Sequence, residues 1–134
     1  MMFKLTNGRV VNLNINKGRH PLKDQDSCKS KFQYELGQIL LELFPNYTIL
    51  EEFFIPQDYL YFDFMIPKLL LAFEDQGKQH EEFNVHFHKF YHNFTKSQRR
   101  DKKKKSFCTL NNIKLIEVPY VKLDIDFIKT LLDK

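Results

Sequence analysis

The sequence predicts an α/β fold, a mixed central sheet flanked by helices, in the order helix, three strands, helix, strand, helix. Three observations predict it. Apolar residues recur at helical spacing from Phe32 to Leu43. Alternating and continuous apolar runs, closed by prolines or polar turns, follow between Thr48 and Phe73. A basic helical stretch then separates these from one more short apolar run, Ile113 to Val118. A length of 134 residues suits one domain around a hydrophobic core. The expected divisions are an N-terminal hairpin and loop extension over 1–29, a core over 30–120 and a C-terminal helix over 121–134.

Each element has its own signal. Phe3 to Ile15 alternates weakly around Gly8, as in a short hairpin, and Lys17 to Lys29 is polar loop. Ser30 followed three residues on by Gln33 forms a capping box, in which each side chain satisfies a free backbone donor at a helix start. Phe32, Leu36, Ile39, Leu40 and Leu43 carry that helix to Pro45, with Glu35 beside the apolar stripe. Thr48 to Ile55 reads as a strand ended by Pro56. Tyr59 to Ile66 alternates, with Leu60, Phe62, Phe64 and Ile66 on one face and Tyr61, Asp63 and Met65 on the other. Pro67-Lys68 is a tight connection, and Leu69 to Phe73 is the continuous apolar run of a central strand. His80 to Phe94 is irregular. A second capping box, Thr95 with Gln98, opens a helix to about Asn111 that turns Phe107, Cys108 and Leu110 inward. Ile113 to Val118 is the last strand and Leu123 to Leu132 the terminal helix.

Bulk composition sets limits on function. Apolar residues make up 43% and charged residues 28% of the chain, as in an ordinary globular protein. Cys28 and Cys108 are too few for a disulfide framework, so reduced thiols and an intracellular, cytoplasmic setting are expected. No apolar run reaches the ~20 residues of a membrane span, and no membrane partner is expected. The net charge of +4 favours polyanions only mildly. Its distribution is more telling: Arg99, Arg100 and Lys102 to Lys105 surround a single acid, Asp101, which is either a footprint for phosphate or a solvated helix face.

Chemistry concentrates where acids interrupt apolar strands. Asp63 lies between Phe62 and Phe64, and Glu74 closes the run from Leu69. A carboxylate in such surroundings is costly to bury without compensation. Glu74 and Gln76 share a strand face, and pairing the two strands across Pro67-Lys68 brings Asp63 to Glu74 at the open end of the hairpin. Two carboxylates with an amide beside them make a hard oxygen site for Mg²⁺ or Mn²⁺, an ion able to activate water and neutralise charge on a phosphodiester. Taken singly, Asp63 also reads as a strand-edge acid and Glu74-Asp75 as a polar strand end.

The joint pattern of acid, tight turn, apolar strand, acid-x-polar-Gly and basic helix resembles the PD-(D/E)xK nuclease superfamily, with Gln76 where a lysine is usual. Ser30-Lys-Phe-Gln-Tyr-Glu35, Gly77-Lys-Gln-His80 and Arg99-Arg-Asp101 look like the motifs of very-short-patch-repair-like endonucleases and phage homing endonucleases of the E…D…x…H…D series. In that series the matching positions are Glu35, Asp63, Gln76, His80 and Asp101, and the resemblance runs from about Ser30 to Tyr120. It implies a restriction-endonuclease-like αβββαβ core and metal-dependent hydrolysis of DNA. Asp63 and Glu74 then hold the metal and Glu35 orients its water. His80 acts as general base or contacts the scissile phosphate, and Asp101 orients His80. Lys78, His88, Arg99, Arg100, Lys104 and Lys105 bind nucleic acid, chiefly its phosphates. A phage-encoded enzyme acting in the host cytoplasm fits this picture.

His80, His86, His88 and His92 invite comparison with zinc sites, but no Cys-x-x-Cys completes a tetrahedral set. Packing among Phe83, Phe87, Phe90 and Phe94 accounts better for His86 and His92. The replacement of lysine by Gln76 keeps open a catalytically inactive nucleic-acid-binding module, and an RNA-directed nuclease is distinguishable only by substrate comparison. Specificity is expected from the N-terminal segment, the His-rich stretch, a homodimer or a separate specificity factor.

Overall fold

A computed structural model describes residues 1–16, 18, 20–76 and 87–134, with side chains left out over 87–98. Among these residues the chain forms a four-stranded mixed sheet, three α-helices and a small N-terminal hairpin. The hairpin pairs β1 (Met2–Lys4) with β2 (Val10–Asn12), turning through Gly8 at φ 88. Then come α1 (Lys31–Leu43), β3 (Leu50–Ile55), β4 (Leu60–Ile66), β5 (Leu71–Asp75), α2 (Phe87–Leu110), β6 (Lys114–Val118) and α3 (Ile125–Leu132). The sheet runs β3-β4-β5-β6, antiparallel except for the parallel pair β5·β6. The element order matches the sequence reading. Both cysteines are free.

Two cores flank the sheet. On one face Phe3 and Leu5 of the N-terminal segment and Phe107 of α2 meet Phe53 and Phe62. On the other, Phe32, Leu36 and Leu40 of α1 and Ile128 of α3 meet Phe64 and Phe73. Gly37 lets α1 approach closely, since a Cβ there would lie 3.2 Å from the Phe64 ring.

Phe62 and Phe64 belong to opposite cores, which corrects the expected single face of Leu60, Phe62, Phe64 and Ile66. Leu60 and Phe62 pack under α2, Phe64 and Ile66 under α1, and Met65, expected outward, is fully buried with the first pair. The cause lies in the β3·β4 ladder. Glu51 pairs with Phe64 and Phe53 with Phe62, but the rung between them, Glu52 with Asp63, is absent. Glu52 has φ 51, a left-handed conformation that breaks the side-chain alternation of an extended strand. Such a residue costs about 1–3 kcal/mol and persists only where its surroundings hold it. Here Lys23 and Lys29 pair with its carboxylate.

Other boundaries differ for local reasons. Leu69 and Leu70 are not strand: a 3-10 turn over Pro67–Leu69 and left-handed Leu70 close the hairpin. The helix expected from Thr95 begins at Phe87, so Thr95 is interior and no cap, and part of the stretch expected to be irregular is helical. Leu110 is exposed rather than inward, since α2 ends there. Ser30 caps α1 by accepting from Gln33 N at 3.0 Å, but the Gln33 side chain does not complete the box, because it donates to Glu51 instead.

Candidate active site

The site lies where the sheet comes apart. The β4·β5 ladder pairs Ile66 with Leu71, Met65 with Ala72 and Phe64 with Phe73, then stops. The next rung would join Asp63 to Glu74. There the Asp63 carboxylate replaces a ladder carbonyl: its Oδ2 accepts the Asp75 N–H at 2.8 Å. Meanwhile β5 stays paired with β6 through Asp75 and Val118, and the Gln76 N–H donates to Val118 O at 3.0 Å. The parted strands form a notch with Asp63 on one wall and Glu74, then Gln76, on the other. The missing rung on the far side of Asp63 explains why this residue is free to turn its side chain toward β5.

Glu74 faces the α2 side of the sheet. It is 9% exposed, and Lys104 Nζ donates to its Oε1 at 2.8 Å. Lys104 is itself largely covered, 5.3 Å from the centre of the Phe62 ring. Burial pushes the Glu74 carboxyl up to about 8, and the Asp63 charge pushes the same way, against the Lys104 ammonium. Burial likewise lifts the Cys108 thiol to about 12, so beside this pair it stays protonated near neutral pH.

The expected site residues are gathered unevenly. Asp63 and Glu74 come together, with Gln76 following on β5. Asp101 is half-buried on α2, one turn before Lys104. Glu35 does not reach the notch: it is largely exposed on α1, paired with Lys31 at 4.0 Å. It does lie at the same end of the sheet, because Phe32, one turn before it, meets the Tyr120 ring at 5.2 Å just beyond β6. Lys78 and His80 lie outside the described residues, as does the side chain of His88. Arg99 and Arg100 are exposed on α2. Lys105 is 63% exposed near Glu117, at 3.6 Å.

Lys104 departs from expectation. Sequence reasoning gave it to phosphate, and the structure turns it to Glu74. The signal was present, since Asp101, Lys104 and Cys108 recur at helical spacing and the buried Cys108 fixes which way that face points. Among the described residues no three His, Cys, Asp or Glu side chains converge as a metal-binding group. The notch therefore offers two carboxylates, a set suited to an ion that keeps several waters, as Mg²⁺ does. No helix among the described residues is long and apolar enough to cross a membrane.

No protein-family model and no solved structure matches the chain. The chain is similar to two viral proteins. It is 49% identical to uncharacterized protein 307L of Invertebrate iridescent virus 6 over 59 residues, which is 44% of this chain and 30% of the relative. It is 43% identical to uncharacterized protein 033L of Invertebrate iridescent virus 3 over 54 residues, 40% of this chain and 28% of the relative. The matched stretches thus span less than a third of these relatives' length.

Proposed function

We propose that the chain is a divalent-metal-dependent endonuclease that hydrolyses DNA phosphodiester bonds, built on a restriction-endonuclease-like αβββαβ core. The observation that carries this reading is the parted β4·β5 ladder, which faces Asp63 toward Glu74 beside a basic helix. Strands do not part around two acids without cost: the ladder loses a rung and Glu74 is desolvated. A cation between the two carboxylates offsets both.

Asp63 and Glu74 would hold Mg²⁺ or Mn²⁺ there, and the ion would supply an activated water and neutralise charge on the phosphate. The chain's own residues do the rest. The Asp75 N–H fixes the Asp63 carboxylate. Exposed Arg99 and Arg100 draw the DNA backbone in through salt-sensitive contacts. By the resemblance of Gly77-Lys-Gln-His80 to the nuclease motif, His80 would take the proton from the attacking water. Both similar proteins are viral, which accords with an enzyme of viral origin acting in a host cell.

Incubating the purified chain with plasmid and Mg²⁺ or Mn²⁺ tests the proposal. Metal-dependent cleavage is expected, falling at least about 100-fold in Asp63→Ala, beyond the usual cost of a lost outer-shell group. Equal cleavage by both proteins, or none with any metal, overturns it. A second reading, a nucleic-acid-binding module without turnover, is favoured by Gln76 at the usual lysine position. On that reading Asp63→Ala leaves DNA binding intact while Arg99→Glu with Arg100→Glu abolishes it, and no metal yields product.

A further inference from the structure

The lysine run on α2 is not a uniform basic face. Lys103 turns to Asp58 at 3.7 Å, Lys105 to Glu117 at 3.6 Å, and Lys104 enters the notch. Lys104 is also the most enclosed of these three, with 15% of its side chain exposed against 41% and 63%. Its ammonium lies over the Phe62 ring, 5.3 Å from the ring centre, and buried Cys108 follows one turn further along α2. A flexible, strongly hydrated ammonium is not held this way by an exposed ion pair, which contributes little.

Charge balance gives this placement meaning. Metal binding requires both acids ionised, which sets two negative charges facing one another across the notch, and Lys104 returns one positive charge. The strand itself offers none, because Gln76 stands beside Glu74. A deficit of one charge remains, and once the ammonium withdraws a divalent ion makes good the full deficit of two. If both stay, two cations crowd one carboxylate at a few ångströms, where like charges repel strongly in a partly buried setting.

We infer that Lys104 is the resident counter-cation of the Asp63–Glu74 pair, holding Glu74 in place until a divalent ion enters and then giving up its position there. Lys104 is thus a positioning residue that sets metal affinity, and the ammonium it frees stays at the same edge to meet a phosphate oxygen. This rests on the reading of the notch as a metal site.

Mn²⁺ titration of the intact chain, followed by electron paramagnetic resonance, separates the two ideas. Lys104→Met is expected to bind Mn²⁺ at least about tenfold more tightly than the unmodified chain, from the removed repulsion. Lys104→Arg, which keeps the charge, is expected to bind like the unmodified chain. Equal or weaker binding by Lys104→Met, with the unmodified chain binding Mn²⁺, overturns the role of Lys104 and leaves the metal site standing. No binding by either overturns the metal site and this inference with it. A readout that needs no variant guards against misfolding: acylation of lysines, mapped by mass spectrometry. Mg²⁺ should raise the reactivity of Lys104 severalfold relative to exposed Lys102, and an unchanged ratio overturns the inference.

Discussion

Two buried glutamates, twenty-three positions apart and both on sheet strands, are held in opposite ways. Glu51 is 2% exposed and is met by fixed, neutral donors: the Lys23 N–H at 2.9 Å, the Gln33 amide at 2.8 Å and the Cys28 thiol at 3.4 Å. Burial and the Glu51 carboxylate push that thiol up to about 11, so it stays a donor. Together these bonds tie the segment before α1 to the sheet. Glu74 is met by the Asp63 backbone N–H and one lysine ammonium, with a second carboxylate across the notch. Backbone and short side chains around Glu51 leave no room for exchange, whereas a lysine on a four-carbon stem is a partner that can leave. One glutamate is built to stay as it is, the other to change partner.

The largest expected effect tests the first half of that contrast. Glu51→Ala strands the Lys23 N–H and the Gln33 amide in the interior, and a loss of about 4 kcal/mol is expected from two or three unsatisfied groups. Urea denaturation measures it, and a midpoint shift worth less than about 1 kcal/mol shows that Glu51 is not a structural anchor. Glu74→Gln should reverse the pattern. Metal-dependent cleavage falls at least about 100-fold, close to 2.7 kcal/mol of barrier, while the urea midpoint at pH 5 moves little. A folded Glu74→Gln chain that cleaves at full rate breaks the comparison.

How far the contrast was readable beforehand follows from the kind of signal each residue left. Asp63 and Glu74 were legible because acids stand out against Phe62, Phe64 and the run from Leu69, and register arithmetic brings them to one rung. Glu51 and Glu52 were not, since adjacent acids at a strand start look like solvent-facing residues. Only the interrupted β3·β4 ladder and the bond from the Glu51 N–H to His20 O reveal that one is buried and the other left-handed. The order of elements along the chain was legible from the spacing of prolines and apolar runs. The face switch in β4 was not, because strict alternation from Leu60 to Ile66 describes a regular strand perfectly well. The irregularity comes from its neighbour, β3. The early start of α2 was hidden by Phe and His residues, which have no strong helical preference of their own.

Acidity offers a third way to sharpen the comparison. The folded chain keeps the Glu74 proton up to about pH 8, whereas the ordinary carboxyl value is 4.5. Between these limits the folded state holds the extra proton, so the stability of the metal-free chain should fall as pH rises, levelling off above about 8. Denaturation series at pH 5, 6, 7 and 8 should show a decline of roughly a few kcal/mol that Glu74→Gln flattens. An identical slope in the variant assigns the pH dependence elsewhere. The smallest effect concerns the boundary of the Glu51 cluster. Because the Gln33 side chain serves Glu51 and not the cap, Ser30→Ala removes a single cap bond and should cost about 1 kcal/mol, against roughly twice that for Gln33→Ala. Equal losses would mean that the two residues act as one unit after all.

The missing rung between Glu52 and Asp63 has one more consequence, which concerns economy of material. A strand that alternates regularly gives all its even-numbered side chains to one layer. By shifting phase at Asp63, β4 gives Leu60, Phe62 and Met65 to the layer under α2 and Phe64 and Ile66 to the layer under α1. Five of its seven residues thereby serve as wall for two separate interiors. The acid at the crossover belongs to neither, and this is why a chemically expensive group can sit at the centre of a small sheet without spoiling the packing on either side.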